Sequence, residues 1–400
     1  MKDKCKKYIF SEKSELMVLA VFIILIMLSF LNIKYSSYLK YIGIIIVNIY
    51  SVFDIIIHGK LKKYKIDKKI LFRILLIVSI MLVPVFIYKN IIMGMKVVIS
   101  VFVLFITSLF FIPLLLKKIE FKKILTVVSF SIFFVLLICS IVFHDSFSIS
   151  GADRLGSEKR FLAGFTFATN IGCFSFLGLV CNDWNNIFSV KKNIKKFFDI
   201  IKGLFFILLM ILADTRTAML LSILFLFLLF FEKKIWNYNK KRKYAIIIIF
   251  TLIIIFTFSI VLNIIPYEKI NLLLSQRLNY WNLALNKLKN SYNIILGCGE
   301  FEDITMSNNY ILIDNGYLKY IYQFGIIAFA FLLEFLLNLF KKIYKLKEQK
   351  QKWTILVFIL LCSFFADCIV ETHLVTWNLL SIMTYTFCGI LILEERKNEN

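Results

Sequence analysis

Long apolar runs recur along the whole of this chain, and lysines crowd into every second gap between them. Twelve runs can be read, at about 16–31, 38–57, 71–88, 97–116, 124–143, 161–181, 197–213, 217–231, 244–265, 317–340, 353–370 and 376–393. A helix crosses a hydrocarbon core in roughly 17–25 residues, which most of the runs match. Helices satisfy their own backbone hydrogen bonds in lipid, so the pattern predicts an all-α, polytopic membrane helix bundle of about twelve transmembrane helices. The runs at 16–31 and 217–231 are short and call for flanking residues or a locally thinner bilayer. With 60% hydrophobic residues, 43 Phe and 3 Pro, the chain is no ordinary soluble domain. Residues 1–400 read as a single integral membrane domain.

Charge distribution decides what the net +23 means. The lysine-rich gaps and the span ends beside them hold 35 of the 48 basic residues and 14 of the 25 acidic ones. The other side is close to neutral, so the excess is a topology signal and no nucleic-acid partner is implied. Lys and Arg stay on the cytoplasmic side, which predicts that both termini face the cytoplasm. Anionic membrane lipid is the partner expected for the basic loops, such as 117–123 (KKIEFKK) and 341–352 (KKIYKLKEQKQK). The first run follows a basic segment with no small-residue cleavage site and reads as a retained anchor. Of the 8 cysteines, Cys298 and Cys368 are the two placed outside, where a disulfide between them is conceivable.

Three outward segments stand apart. The first is 144–160, HDSFSISGADRLGSEKR. The second is the joint Asp214-Thr215-Arg216-Thr217, flanked on both sides by lysine-rich stretches; a single crossing would put one of those stretches outside, so a tight hairpin is expected. The third is the loop 266–316, an unusually long connection, and function is the usual reason for such a loop. Within it, Ile270, Leu274, Leu278, Trp281, Leu285 and Leu288 recur at helical spacing, predicting an amphipathic helix near 270–288 that lies on the outer leaflet or packs on the bundle.

Arginine is scarce inside, yet four arginines face outward: Arg154, Arg160, Arg216 and Arg277. A guanidinium fork binds phosphate oxygens in pairs and tolerates partial burial better than ammonium, so the set suits a diphosphate; pairing with Asp153, Glu158 or Asp214 is the competing explanation. Asp314 and Asn315 precede Tyr317 at the mouth of a span. There an acid beside an amide could deprotonate and orient a sugar hydroxyl, or could cap the helix. Glu300, Glu302 and Asp303 read as solvated loop acids more readily than as metal ligands, and His373 beside Glu371 as an ordinary outer-turn histidine. No metal and no cofactor is expected.

Four stretches together resemble the O-antigen ligase/polymerase superfamily of bacterial envelope proteins. They are Arg160-Phe-Leu-Ala-Gly164 followed by Asn170 and Gly172; Asp214-Thr-Arg216-Thr-Ala218; Arg277…Trp281…Leu296-Gly297-Cys-Gly299; and Asp314-Asn315-Gly-Tyr317-Leu318…Gly325. The likeness covers about 160–330. It implies a GT-C-like membrane glycosyltransferase that acts outside the bacterial cytoplasmic membrane on polyprenyl-diphosphate-linked glycans. Donor and acceptor would both be lipid-linked, with a flippase and a chain-length regulator as further partners. It also implies that Arg160, Arg216 and Arg277 meet the donor diphosphate, with Arg154 and Tyr317 nearby, and that Asp314 and Asn315 serve catalysis. Ligases of the family carry His before the Asn; Asp314 in that place points to the repeat-unit polymerase branch. A ligase and a lipid-linked sugar transporter are the alternatives. A metal-dependent enzyme of the oligosaccharyltransferase kind would need an acidic first outer loop, and 32–40 has no carboxylate.

Single cysteines placed in 266–316 of an otherwise cysteine-free chain are expected to react with a membrane-impermeant maleimide in intact cells. Labelling only after permeabilisation would invert the topology and remove the outer-face site.

Overall fold

The computed structural model describes residues 11–58, 67–149, 159–182, 194–235, 277–289, 291–301, 304–306, 309–311, 313–348 and 353–398. The fold is all-α, about 81% helical. In chain order the helices are α1 (Glu12–Leu28), α2 (Ser37–His58), α3 (Lys68–Ile87), α4 (Ile91–Leu116), α5 (Phe121–Val142), α6 (Ala168–Val180), α7 (Ile194–Leu212) and α8 (Arg216–Ile235). They are followed by the short α9 (Arg277–Leu288) and α10 (Ser291–Leu296), then α11 (Gly316–Glu348), α12 (Thr354–Asp367) and α13 (Leu379–Asn398). Two small antiparallel hairpins decorate one end: β1 (Phe147–Ile149) with β2 (Lys159–Phe161), and β3 (Ile304–Met306) with β4 (Asn309–Ile311).

Local sequence explains the starts of these helices. Ser11 and Ser14 form a reciprocal capping box at α1, where Glu12 and Glu15 complement the helix dipole. Asp67 caps α3 by accepting from the Lys69 and Ile70 amides. Five helices are long and apolar enough to cross a membrane: Ser37–Ile57, Lys68–Ile87, Ile91–Leu116, Phe121–Val142 and Gly316–Leu346. Large apolar side chains also cover the exterior. On α2, Ile42, Ile45, Ile49, Phe53 and Ile56 are all exposed along one stripe. Water would not tolerate an apolar surface of this extent, so the exterior is that of a membrane protein.

Alternate connections gather at opposite ends of the bundle. At the lysine-poor end, Thr166 bonds Phe30, Asn90 bonds Gly299 and Gly316 bonds Cys368, so loops far apart in sequence touch. At the other end Lys342 pairs with Asp67, and Lys123 with Glu12 at 2.9 Å.

Two close approaches fix the helix paths. A π-helical stretch at Thr107–Phe111 interrupts α4, and Gly389 of α13 lies against it: a Cβ there would sit 2.8 Å from the Leu109 carbonyl oxygen. In α11, Gly325 adopts φ +82°, breaking the helix where it meets the end of α10. A Cβ at Gly325 would lie 2.1 Å from the Ile295 carbonyl oxygen.

Eleven of the twelve apolar runs fall on described helices, and 244–265 lies outside the described residues. The run at 161–181 needs correction: its first residues form β2 and a turn, and α6 begins only at Ala168. Ala163 and Gly164, at φ +45° and +77°, make that turn, which no helix accommodates. The helix expected near 270–288 is described from Arg277 onward. Ala284 and Leu288 pack on Ile313 and Tyr322, while Leu285 is 48% exposed. The face that turns inward carries Arg277, Trp281, Ala284 and Leu288 at helical spacing, so the arginine helps to set it. Cys298 and Cys368 are both free thiols.

Gly325→Ala is expected to destabilise the protein by more than about 2 kcal/mol, since it meets both positive φ and a backbone clash. A melting temperature in detergent equal to that of wild type would show that the kink relaxes freely.

Candidate functional site

The polar groups of the lysine-poor end fall into three adjoining clusters. The first is the α7–α8 hairpin tip. Three residues, Ala213 to Thr215, turn the chain, with Asp214 at φ +46°. Asp214 tolerates this left-handed geometry better than a β-branched residue would. From β2, Arg160 donates through Nε to the Ala213 carbonyl at 3.0 Å and through Nη2 to that of Asp214 at 3.2 Å. These are carbonyls a tight turn leaves without helical partners. Arg216 lies 3.7 Å from Asp214 and keeps a third of its side chain exposed. Thr215 packs on α6 at Gly172, where any Cβ would come within 2.6 Å of its Oγ1. Two residues earlier on α6, Asn170 is buried, and its Nδ2 has no hydrogen-bond partner among the described residues.

The second cluster centres on Arg277, the first residue of α9. Its Nη1 donates to the Val370 carbonyl, Nη2 contacts the Glu371 carboxylate at 2.7 Å, and Nε lies 3.6 Å from Asp314. Only 15% of the Arg277 side chain is exposed, against 34% for Asp314. Burial raises the Glu371 pKa, and the Arg277 charge offsets part of that rise. For Arg277, burial works against the charge, but Glu371 and Asp314 more than restore it. Of the two residues expected to cap this helix, Asn315 does so: its Oδ1 accepts from the Leu318 amide at 2.8 Å. Tyr317 sends its hydroxyl to the Phe365 carbonyl at 2.8 Å and packs its ring edge-on against Phe329.

The third cluster was not legible as a unit. His373 Nδ1 lies 2.5 Å from the Asp367 carboxylate, and Cys173 Sγ approaches the same ring at 3.6 and 3.9 Å. All three are buried. Burial opposes a charged imidazole; the Cys173 sulfur and the Asp367 carboxylate together outweigh it and hold the His373 pKa well above its ordinary value. The donor atoms of Cys173, Asp367 and His373 lie within 4.8 Å of one another, a set of ligand types that zinc accepts. The signal available beforehand was a dense polar run, Asp367 to His373, at the end of an apolar span. Its partner Cys173 is 200 residues away, inside an apolar helix.

Arg154, Glu302 and Asp303 lie outside the described residues. Glu300 is engaged by Lys287 at 2.9 Å and by the Tyr322 hydroxyl, so it is a fold contact. Gly297 and Gly299 have φ of +80° and +63° and form a turn. Neither a scan against known protein-family models nor a search of curated proteins finds a match for this chain.

The pH dependence follows from the sign of the His373 shift. A raised folded pKa contributes stability that is complete below about pH 6.5, the unfolded value, and fades as pH rises through the folded one. Wild type is therefore expected to melt lower as pH rises from 6 to 10. His373→Gln should lose about 3–5 kcal/mol at pH 6 and show a flatter pH profile. Parallel profiles for the two proteins would mean that the imidazole is neutral throughout.

Proposed function

We propose that this protein is a polysaccharide polymerase of the O-antigen ligase/polymerase kind. It joins polyprenyl-diphosphate-linked repeat units on the outer face of the bacterial cytoplasmic membrane, and needs no metal. In this reading the bundle is GT-C-like, with about twelve spans and both termini in the cytoplasm. The observation that carries it is the contact of Asp314 and Glu371 with Arg277, which joins two lysine-poor connections, the loop 266–316 and the turn after α12. A partly exposed carboxylate, held by a cation at the mouth of a helix, is what an acceptor hydroxyl requires.

The acceptor hydroxyl oxygen attacks the anomeric carbon of the donor. The bond from that carbon to the diphosphate oxygen breaks, and its electron pair leaves with the diphosphate. Asp314 takes the hydroxyl proton. Positioned cations stabilise charge as it develops in a partly dry site, which relieves the reaction of a metal. Arg216 offers the more open guanidinium to the donor diphosphate, while Arg160 and Arg277, engaged on carbonyls and carboxylates, hold the two clusters in shape.

Asp314→Asn is expected to lower polymer formation by about a hundredfold or more, with normal membrane insertion. Arg216→Ala should shorten or abolish the polymer ladder in cells whose pathway is otherwise intact. Unchanged ladders in both would remove this mechanism; lipid-linked polymer that accumulates untransferred would make the enzyme a ligase. Turnover should persist in EDTA. A loss restored by zinc would move the chemistry to Cys173, Asp367 and His373.

A further inference from the structure

Three metal-ligand side chains from remote parts of the chain meet inside the bundle, and the chemistry proposed above uses none of them. Cys173 comes from α6, Asp367 is the last residue of α12, and His373 opens the short 3-10 turn His373–Val375. One donor atom from each lies within 4.8 Å of the other two. All three residues are more than nine-tenths buried.

Burial is what makes the cluster informative. Acids and histidines gather on surfaces at little cost, whereas charges inside a protein are paired or coordinate a metal. The donor set is a thiolate, an imidazole and a carboxylate. Zinc takes all three, while magnesium and calcium take oxygen alone. Bonds of about 2.3 Å to sulfur and about 2.0–2.1 Å to nitrogen and oxygen set tetrahedral donors roughly 3.3–3.6 Å apart. Cys173 Sγ and His373 Nδ1 lie at 3.6 Å. His373 Nδ1 and the Asp367 carboxylate are closer, at 2.5 Å, because a proton lies between them. Zinc in the place of that proton moves the two apart by less than about 1 Å, which side-chain rotation covers. The hydrogen bonding of the trio is also incomplete. His373 Nε2 has only the Cys173 sulfur, at 3.9 Å, as a partner among the described residues. Three residues before Cys173, on the same face of α6, the buried Asn170 Nδ2 has no partner among them at all. A thiolate, or a water on the metal, gives that donor its acceptor.

We propose that Cys173, Asp367 and His373 bind one zinc ion, with water in the fourth position, and that the ion latches α6 to the turn after α12. As zinc enters, the thiol proton of Cys173 and the proton shared by His373 and Asp367 pass to water. The latched turn is the one that carries Glu371 to Arg277 and accepts the Gly316 amide. Asp314 is not a donor to the ion, so the glycosyl transfer proposed above stays free of metal. The zinc site stands whether or not that reading does. Because the donors are buried, the ion leaves only when the turn opens, and brief EDTA treatment of the folded protein does not strip it.

The test is metal content. Full-length protein from cells grown with added zinc, purified in detergent without chelator, should hold about one zinc per chain by elemental mass spectrometry. Cys173→Ser and His373→Gln should each hold less than about a tenth of that. Cys388→Ala, at a buried cysteine of α13 outside the trio, should hold as much as wild type. Cells grown with cobalt should yield wild type with a sulfur-to-cobalt charge-transfer absorption. If Cys173→Ser fails to elute as a single species, Cys173→His, which exchanges one zinc ligand for another, should bind cobalt without that absorption. Zinc-loaded wild type should also melt higher than wild type from zinc-starved cells. Wild type that holds no zinc, or equal zinc in wild type, Cys173→Ser and His373→Gln, overturns the proposal. Equal melting temperatures with and without the ion overturn the latch.

Discussion

Arg277 is the junction on which the lysine-poor end depends. A guanidinium with most of its surface withdrawn from water must have its charge met, because an uncompensated buried charge costs several kcal/mol. Here it is met by three groups from two segments that are remote in sequence: the Asp314 carboxylate, and the Val370 carbonyl and Glu371 carboxylate of the turn after α12. The Gly316 amide then ties the same turn to the start of α11 by donating to the carbonyls of Cys368 and Glu371 at 2.8 and 3.0 Å. Removing the guanidinium would take from Asp314 and Glu371 the cation they share. The start of α9, the mouth of α11 and the turn after α12 are held in one arrangement by that single side chain.

Most of the helical framework was legible because lipid-facing and core-facing residues are both apolar, so each crossing shows as an uninterrupted run. The same fact hides what happens at the ends. Residues 161–167 are as apolar as a span, yet Ala163 and Gly164 turn the chain there. Periodicity near 270–288 pointed to a helix but left open which face packs inward, since Leu285 and Ala284 are both apolar. The hairpin at Asp214 was readable from charge alone: lysines on both flanks forbid a single crossing, whatever the local propensity.

The candidate site divides along similar lines. Asp314, Asn315, Arg160, Arg216 and Arg277 were visible as polar residues in outward connections. Their division of labour was not, because it depends on distance. Asn315 caps α11, Asp314 lies beside Arg277, and Arg160 donates to the hairpin carbonyls. The Cys173–His373–Asp367 chain was invisible as a unit, since a cysteine within an apolar helix carries no pattern that points 200 residues onward.

Arginine is the cation that braces this end, and its chemistry explains why. The planar guanidinium presents several donors at fixed angles, so it can bind two or three protein acceptors at once and tolerate burial; it makes a good internal strut. A lysine ammonium is a compact, strongly hydrated charge on a flexible stem, poorly suited to bracing a turn. The struts at the lysine-poor end are accordingly guanidiniums: Arg160 on the hairpin carbonyls, and Arg277 between Asp314 and Glu371.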